Sequence, residues 1–153
     1  MYGGTGTESA NLRHPSRPPE SLEAGTLNLP GIAALNAGLR WTEKRFEKNN
    51  AKIERISRYL HKELRERDIE TFSTDGSPLL TFRIKGFDSA GIADFLDKTH
   101  DIAIRPGLHC APLVHRTFGT EKGGLARVSI GAHNTIGDAK KLLSAIDELR
   151  STR

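Results

Sequence analysis

Cysteine is almost absent from this sequence: Cys110 is the only one among 153 residues. A single cysteine cannot form an internal disulfide, so nothing in the chain points to an oxidising compartment. The histidines show no tight metal-ligand spacing, and one cysteine leaves little to build a structural zinc site. We therefore predict neither a disulfide framework nor a metal site.

Long hydrophobic runs are also missing. No apolar stretch approaches the roughly 20 residues that a membrane-spanning helix needs. The opening residues, "MYGGTGTESANLRHPSRPPES", lack the charged-then-apolar layout of a secretion signal. We expect a cytoplasmic, globular protein with no membrane partner.

Aromatic residues are scarce at 6%, and the net charge of +4 is a mild excess. The basic residues between Lys44 and Arg67 alternate with glutamates, as on a solvated helical face. No nucleic-acid-binding motif accompanies them. The charge pattern therefore predicts no nucleic-acid partner and favours small anionic groups, such as carboxylate or phosphate, as ligands for a few placed arginines.

Two regions differ sharply in the first half of the chain. Residues 1–28 are rich in Gly, Pro and Ser without periodicity, which predicts a loop. Asn28 and Pro30 then predict the cap and first turn of a helix. We expect "KNNAK", residues 48–52, to break this helix, and a second helix to follow with an apolar face of Ile53, Ile56, Leu60 and Leu64.

The second half predicts short strands and two more helices. "IETFST" and "PLLTFRIKG" are expected to form strands around the turn "TDGSP", followed by "DIAIR" and "LARVSIGAHN". The helices begin at Asp88 or Ser89 and at Asn134 or Thr135, which are suitable capping residues. The predicted fold class is α+β, with an antiparallel or mixed sheet of three to four strands and helices on one face.

The segment "IRPGLHCAP" leaves Cys110 open to two interpretations. A lone cysteine is commonly a buried, inert residue. Against this, Pro106, Gly107 and Pro112 favour a loop. The neighbouring Arg105 and His109 are groups that favour the reactive thiolate.

Three further features are equally open when taken singly. Arg127 alternates with apolar residues, so it is either a solvated strand residue or a fork that grips a carboxylate. "GGTG" and "EAGT" offer backbone and a hydroxyl suited to phosphate, although such stretches are more often turns.

Taken in order, these pieces carry a resemblance. "YGGTG", "LEAGTLNLPGIAAL", "RPGLHCAP" and "ARVSIGAHNT" follow one another as in the C-terminal portion of the cysteine desulfurases. Those proteins are fold-type I pyridoxal-phosphate enzymes of the class V aminotransferase group. The resemblance covers nearly the whole chain, from about residue 3 to the last helix.

The resemblance implies specific roles for four residues. Cys110 matches the catalytic cysteine, which takes sulfur from L-cysteine as a persulfide and leaves L-alanine. Arg127 matches the arginine that holds the substrate carboxylate, with a supporting substrate-binding role for Arg105. Thr26 matches the threonine that reaches the cofactor phosphate of the neighbouring subunit, so a homodimer is implied for the complete enzyme.

The resemblance also implies what this sequence does not carry. The lysine that anchors pyridoxal phosphate belongs to a larger cofactor domain, upstream of the "GGTG" loop. Residues 1–28 are then a loop segment that normally packs on that domain and on the dimer partner, and residues 29–153 are the small C-terminal domain with its leading helices. We expect the chain to be inactive by itself.

Several alternatives remain open at this level. The parent could be a selenocysteine lyase or another class V member, in which Cys110 is less essential. The chain could also be a non-catalytic interaction domain or a relic. A sulfur-acceptor protein is a possible partner, whether for iron–sulfur cluster assembly, thiolated RNA bases or another route.

Overall fold

The computed structural model describes residues 6, 8, 10–23 and 25–152. The chain divides into two compact units, Met1–Phe46 and Glu47–Arg153. The helices are α1 (Leu29–Glu66), α2 (Ser89–His100), α3 (Pro112–Phe118) and α4 (Ile136–Ser151), and a short 3-10 helix covers Glu20–Leu22. The strands are β1 (Glu70–Thr71), β2 (Leu79–Arg83) and β3 (Ala126–Ser129).

The first unit holds the predicted loop and the start of α1. The Asn28 side chain accepts a hydrogen bond from the Gly31 backbone N–H at 3.0 Å, which confirms the predicted cap. The apolar residues that follow in this unit remain exposed, among them Leu29, Ile32, Leu35, Leu39 and Phe46.

The predicted break at residues 48–52 is wrong, because α1 runs without interruption from Leu29 to Glu66. Asn costs only a few tenths of a kcal/mol more than a good helix former, roughly 0.7 at most, and lysine costs little. Neither Gly nor Pro lies between Leu39 and Glu66, so nothing in the segment breaks the hydrogen-bond ladder.

The second unit has an antiparallel sheet in the order β1–β2–β3. Leu80 lies opposite Val128 and Phe82 opposite Ala126. Leu80 and Phe82 are fully buried because they point to the face that α1, α2 and α4 cover. Ile56, Leu60 and Leu64 of α1 complete this core, as their three- and four-residue spacing predicted. The predicted α+β class, with the core on one face of a small sheet, is confirmed.

The caps of α2 and α4 are placed as predicted. The Asp88 carboxylate accepts from the Gly91 N–H at 2.6 Å. At α4, Thr135 and Asp138 form a reciprocal capping box, with the Asp138 N–H on the Thr135 hydroxyl and the Thr135 N–H on the Asp138 carboxylate. The Thr135 and Asn134 donors hold the pKa of Asp138 below its usual value.

Two local predictions need correction. "DIAIR" forms no regular strand, because only its last residue, Arg105, bridges to Arg127. Pro112 begins a helix instead of marking a loop, since its missing N–H is not needed in the first turn of α3. Gly119 ends that helix in the left-handed conformation.

Among the described residues, none of the helices is long and apolar enough to cross a bilayer. No group of three or more His, Cys, Asp or Glu residues in that part of the chain is arranged to hold a metal ion.

Candidate active site

The segment that leads to Cys110 is fixed to β3 by backbone hydrogen bonds. Arg105 and Arg127 exchange N–H···O bonds of 3.0 and 2.8 Å, and Gly107 and Leu125 exchange two bonds of 3.1 Å. These pairs hold residues 105–107 against the start of β3. The turn that follows is therefore anchored at its base to the core of the second unit.

A serine and a pair of glycines reinforce this anchor. The buried Ser89 hydroxyl accepts from the Gly107 N–H at 3.0 Å and donates to the Gly123 carbonyl. Gly124 has φ +62°, and a Cβ placed on it would lie 2.7 Å from the Gly107 Cα. Only glycine fits there, since both the left-handed backbone and the close approach exclude a side chain.

Cys110 stands at the end of a left-handed turn. His109 has φ +53° and Cys110 has φ +59°. Two successive non-glycine residues in this region cost of the order of 1 kcal/mol each and cluster at functional positions. Cys110 is exposed, and Arg105 Nη2 donates to its Sγ at 3.4 Å. A guanidinium beside an accessible sulfur stabilises the negative charge of a thiolate.

His109 closes the same turn from the opposite side. Its Nε2 lies 3.0 Å from the Arg105 carbonyl oxygen, and its ring packs 5.7 Å from that of the buried His115. Burial holds the pKa of His109 below its ordinary value, and the nearby positive charge of Arg127 acts in the same direction. His109 is therefore neutral at pH 7.

Arg127 lies on β3, across the backbone bridge from Arg105. Its Nε is buried and finds no hydrogen-bond partner among the described residues. An unpaired donor of this kind on a guanidinium is an opportunity for an anionic ligand, because leaving it unsatisfied is costly. Arg105 thus contacts the Cys110 sulfur through its side chain and pairs with Arg127 through its backbone.

The remaining predicted residue, Thr26, lies in the first unit. It is exposed in the loop before α1, so its hydroxyl is accessible to a phosphate. Ala24 of the "EAGT" motif and residues 2–5 of "YGGTG" lie outside the described residues.

Three contributors to the cysteine turn, residues 105–110, were not predicted from the sequence. They are Ser89, Gly124 and the hydrogen bond made by His109. Their signal is tertiary, since Ser89 and Gly124 lie 18 and 17 positions from Gly107 in the chain. His109 was noted only as a neighbour of the thiol. Its hydrogen bond runs back to Arg105, which no residue spacing indicates.

Comparison with known proteins identifies the family of this chain. The model of the aminotransferase class-V family matches residues 1–142. The chain belongs to the aminotransferase class-V family. The resemblance carried by the four motifs is thereby confirmed at the level of the family.

Curated relatives in the family are named as cysteine desulfurases. A probable cysteine desulfurase of Methanothermobacter thermautotrophicus is 31% identical in an alignment of 142 positions that covers 86% of this chain and 34% of that protein. The cysteine desulfurase CsdA of Escherichia coli is 30% identical in an alignment of 132 positions that covers 84% of this chain and 32% of CsdA. The chain thus spans about a third of the length of these relatives.

Solved structures of family members share the fold. The apo cysteine desulfurase of Thermococcus onnurineus superposes with a TM-score of 0.79 at 26% identity, covering 90% of this chain and 35% of that one. The S-sulfonic acid form of Escherichia coli CsdA gives a TM-score of 0.77 at 27% identity, with 88% and 33% covered.

Proposed function

We propose that this chain is the C-terminal part of a pyridoxal-phosphate-dependent cysteine desulfurase, in which Cys110 accepts sulfur from L-cysteine. The observation that carries the proposal is the exposed Cys110 sulfur, 3.4 Å from Arg105 Nη2, in a left-handed turn anchored beside Arg127, whose buried Nε has no hydrogen-bond partner among the described residues. Membership of the class V family and relatives named as cysteine desulfurases support it.

Arg127 would bind the substrate α-carboxylate. Its planar fork can donate two parallel hydrogen bonds to one carboxylate, and its buried Nε is a donor that such a ligand would satisfy. Because the backbones of Arg105 and Arg127 are directly bridged, the segment that carries the thiol is held against the strand that carries Arg127.

The chemistry of the thiol is a sulfur transfer. The Cys110 thiolate attacks the sulfur of substrate cysteine, so that an S–S bond forms as the substrate C–S bond breaks. The electron pair of the broken bond returns to the substrate carbon, which takes up a proton. L-Cysteine and the Cys110 thiol thereby become L-alanine and a Cys110 persulfide.

The residues of this chain fit pyridoxal phosphate in part. Thr26 has an exposed hydroxyl that would hold the phosphate, and the unpaired donor of Arg127 suits the substrate. When bound, the cofactor supplies the electron sink that weakens the substrate C–S bond. A homodimer in the complete enzyme and a cytoplasmic location belong to the same proposal.

A chimera tests this function. The matching C-terminal third of the Methanothermobacter relative is replaced by this chain, and the purified hybrid is given pyridoxal phosphate and L-cysteine. We expect L-alanine to form in the hybrid and Cys110 to gain the mass of one sulfur atom. Cys110→Ala should lower alanine formation at least about 100-fold, because the nucleophile is removed.

The matched control is Cys110→Ser, which keeps the size but exchanges sulfur for a poorer nucleophile. A hybrid that makes alanine equally well with and without Cys110 would disprove the proposed role. If such a hybrid were active on L-selenocysteine as well, a selenocysteine lyase would replace the desulfurase.

A further inference from the structure

The cysteine turn is closed by two contacts that both end on Arg105. The guanidinium of Arg105 donates to the Cys110 sulfur at 3.4 Å. The carbonyl of the same residue faces His109 Nε2 at 3.0 Å. In addition to its backbone bridge to Arg127, Arg105 therefore makes two contacts within the turn, through its carbonyl with His109 and through its guanidinium with Cys110.

The chemistry of this contact fixes the tautomer of His109. A carbonyl oxygen only accepts hydrogen bonds, so Nε2 must carry the hydrogen and Nδ1 carries the lone pair. Burial keeps the pKa of His109 low, so the ring is neutral and adds no second positive charge beside Arg105. His109 thus acts on the turn through a directed N–H bond.

The ring of His109 also packs against a buried histidine. It packs at 5.7 Å against His115, which is 2% exposed. His115 Nδ1 is joined to the hydroxyl of the fully buried Thr120 at 2.8 Å. The half-buried ring of His109 therefore packs against the buried, hydrogen-bonded pair of His115 and Thr120, which restricts the direction of the His109 N–H.

We propose that His109 is a positioning residue, which fixes Arg105 against the Cys110 sulfur through its hydrogen bond to the Arg105 carbonyl. This inference rests on the proposed role of Cys110 as the sulfur acceptor. Among the contacts of the described residues, the hydrogen bond of the His109 ring goes to the Arg105 carbonyl and not to the sulfur. His109 adds a hydrogen bond to the Arg105 carbonyl, which also accepts the Arg127 N–H at 2.8 Å, and so supports the backbone from which the Arg105 guanidinium reaches the thiol.

The left-handed backbone explains why the turn needs the hydrogen bond from His109 to the Arg105 carbonyl. Residues 109 and 110 both adopt positive φ values, of +53° and +59°, that side-chain-bearing residues avoid. The turn would relax towards commoner conformations without a restraint. A bond from residue 109 to residue 105 spans the turn and opposes that relaxation.

Alkylation of Cys110 in the full 153-residue chain tests the proposal. Cys110 is the only cysteine, so iodoacetamide incorporation measured by mass spectrometry reports on it alone. The rate is measured at one pH for the native chain, Arg105→Met, His109→Leu and the double variant. Alkylation requires neither pyridoxal phosphate nor L-cysteine, so its outcome is separate from that of the hybrid enzyme.

We expect Arg105→Met and His109→Leu each to slow alkylation roughly three- to tenfold, since both remove the guanidinium from the sulfur. If His109 acts through Arg105, the double variant is no slower than the slower single variant. His109→Gln should restore most of the rate, because its amide N–H can still reach the Arg105 carbonyl.

Controls separate this role from a general loss of structure. His109→Leu and His109→Gln carry the same backbone penalty, so their unfolding midpoints should agree while their alkylation rates differ. His133→Leu, at an exposed histidine in the turn before α4, should leave the rate unchanged. An unchanged rate in His109→Leu, strictly additive effects in the double variant or failure of His109→Gln to restore the rate would each overturn the proposal.

Discussion

At the residue scale, the site depends on backbone conformations that most residues avoid. His109, Cys110 and Gly124 all have positive φ, and they lie where residues 105–110 meet the start of β3. At Gly124 the requirement is steric as well, since the Gly107 backbone would be 2.7 Å from an added Cβ. The exposure of Cys110 follows from this local geometry.

Substitution at Gly124 should therefore be strongly destabilising. Gly124→Ala adds a clash with Gly107 backbone to the cost of a left-handed residue, and we expect it to lower the free energy of unfolding by roughly 3 kcal/mol. Urea unfolding followed by circular dichroism measures this loss.

The matched control is Gly119→Ala. Gly119 has φ +63°, nearly that of Gly124, but nothing lies within 4 Å of its added Cβ. We expect it to cost only about 1–2 kcal/mol, the price of the left-handed backbone alone. If the two variants lost equal free energy of unfolding, the close approach of Gly124 to Gly107 would not contribute to the cost of the Gly124 substitution.

At the scale of the elements, short-range signals placed most helix starts correctly. Asn28, Asp88 and Thr135 each accept a backbone N–H as their residue types predict. The errors came where a weak signal was given too much weight. Asn and Lys at residues 48–52 do not end α1, and Pro112 starts a helix.

The cap of α4 can be tested directly. Thr135→Ala removes the side chain that accepts the Asp138 N–H, so we expect the free energy of unfolding to fall by about 1 kcal/mol. Thr135→Ser keeps the hydroxyl and should lose less than half of that. If alanine and serine behave alike in urea unfolding, the hydroxyl does not stabilise α4.

At the scale of the whole molecule, the chain carries an exposed thiol and an arginine with a buried, unpaired Nε, on segments whose lysines are few. No lysine occurs in the sequence between Lys98 and Lys122. Lys98 pairs with Asp94 at 2.8 Å, and that hydrogen bond raises the pKa of its ammonium group. A protonated, paired lysine is a poor amine nucleophile.

We therefore predict that the isolated chain forms no sulfide from L-cysteine and pyridoxal phosphate. Without a cofactor held in place as an electron sink, the substrate C–S bond is not weakened, so we expect the thiol not to break it. Sulfide release is measured over hours, with the hybrid enzyme as the positive control. Turnover by the isolated chain that disappears in Cys110→Ala would contradict this prediction.

The sequence by itself determined the α+β class, the helix caps, the buried face of α1 and, through the order of its motifs, the candidate residues Thr26, Arg105, Cys110 and Arg127. The class, the caps and the buried face follow from periodicity and from residue types within a few positions of one another, whereas the four candidate residues come from the resemblance to the cysteine desulfurases. The tertiary structure decided how the site is held: the bridge between Arg105 and Arg127, the approach of Gly124 to Gly107 and the bond from His109 to the Arg105 carbonyl. The first two join residues 22 and 17 positions apart, which meet only when β3 packs in the core, and the third depends on the left-handed backbone at residues 109 and 110, so residue types alone do not predict them.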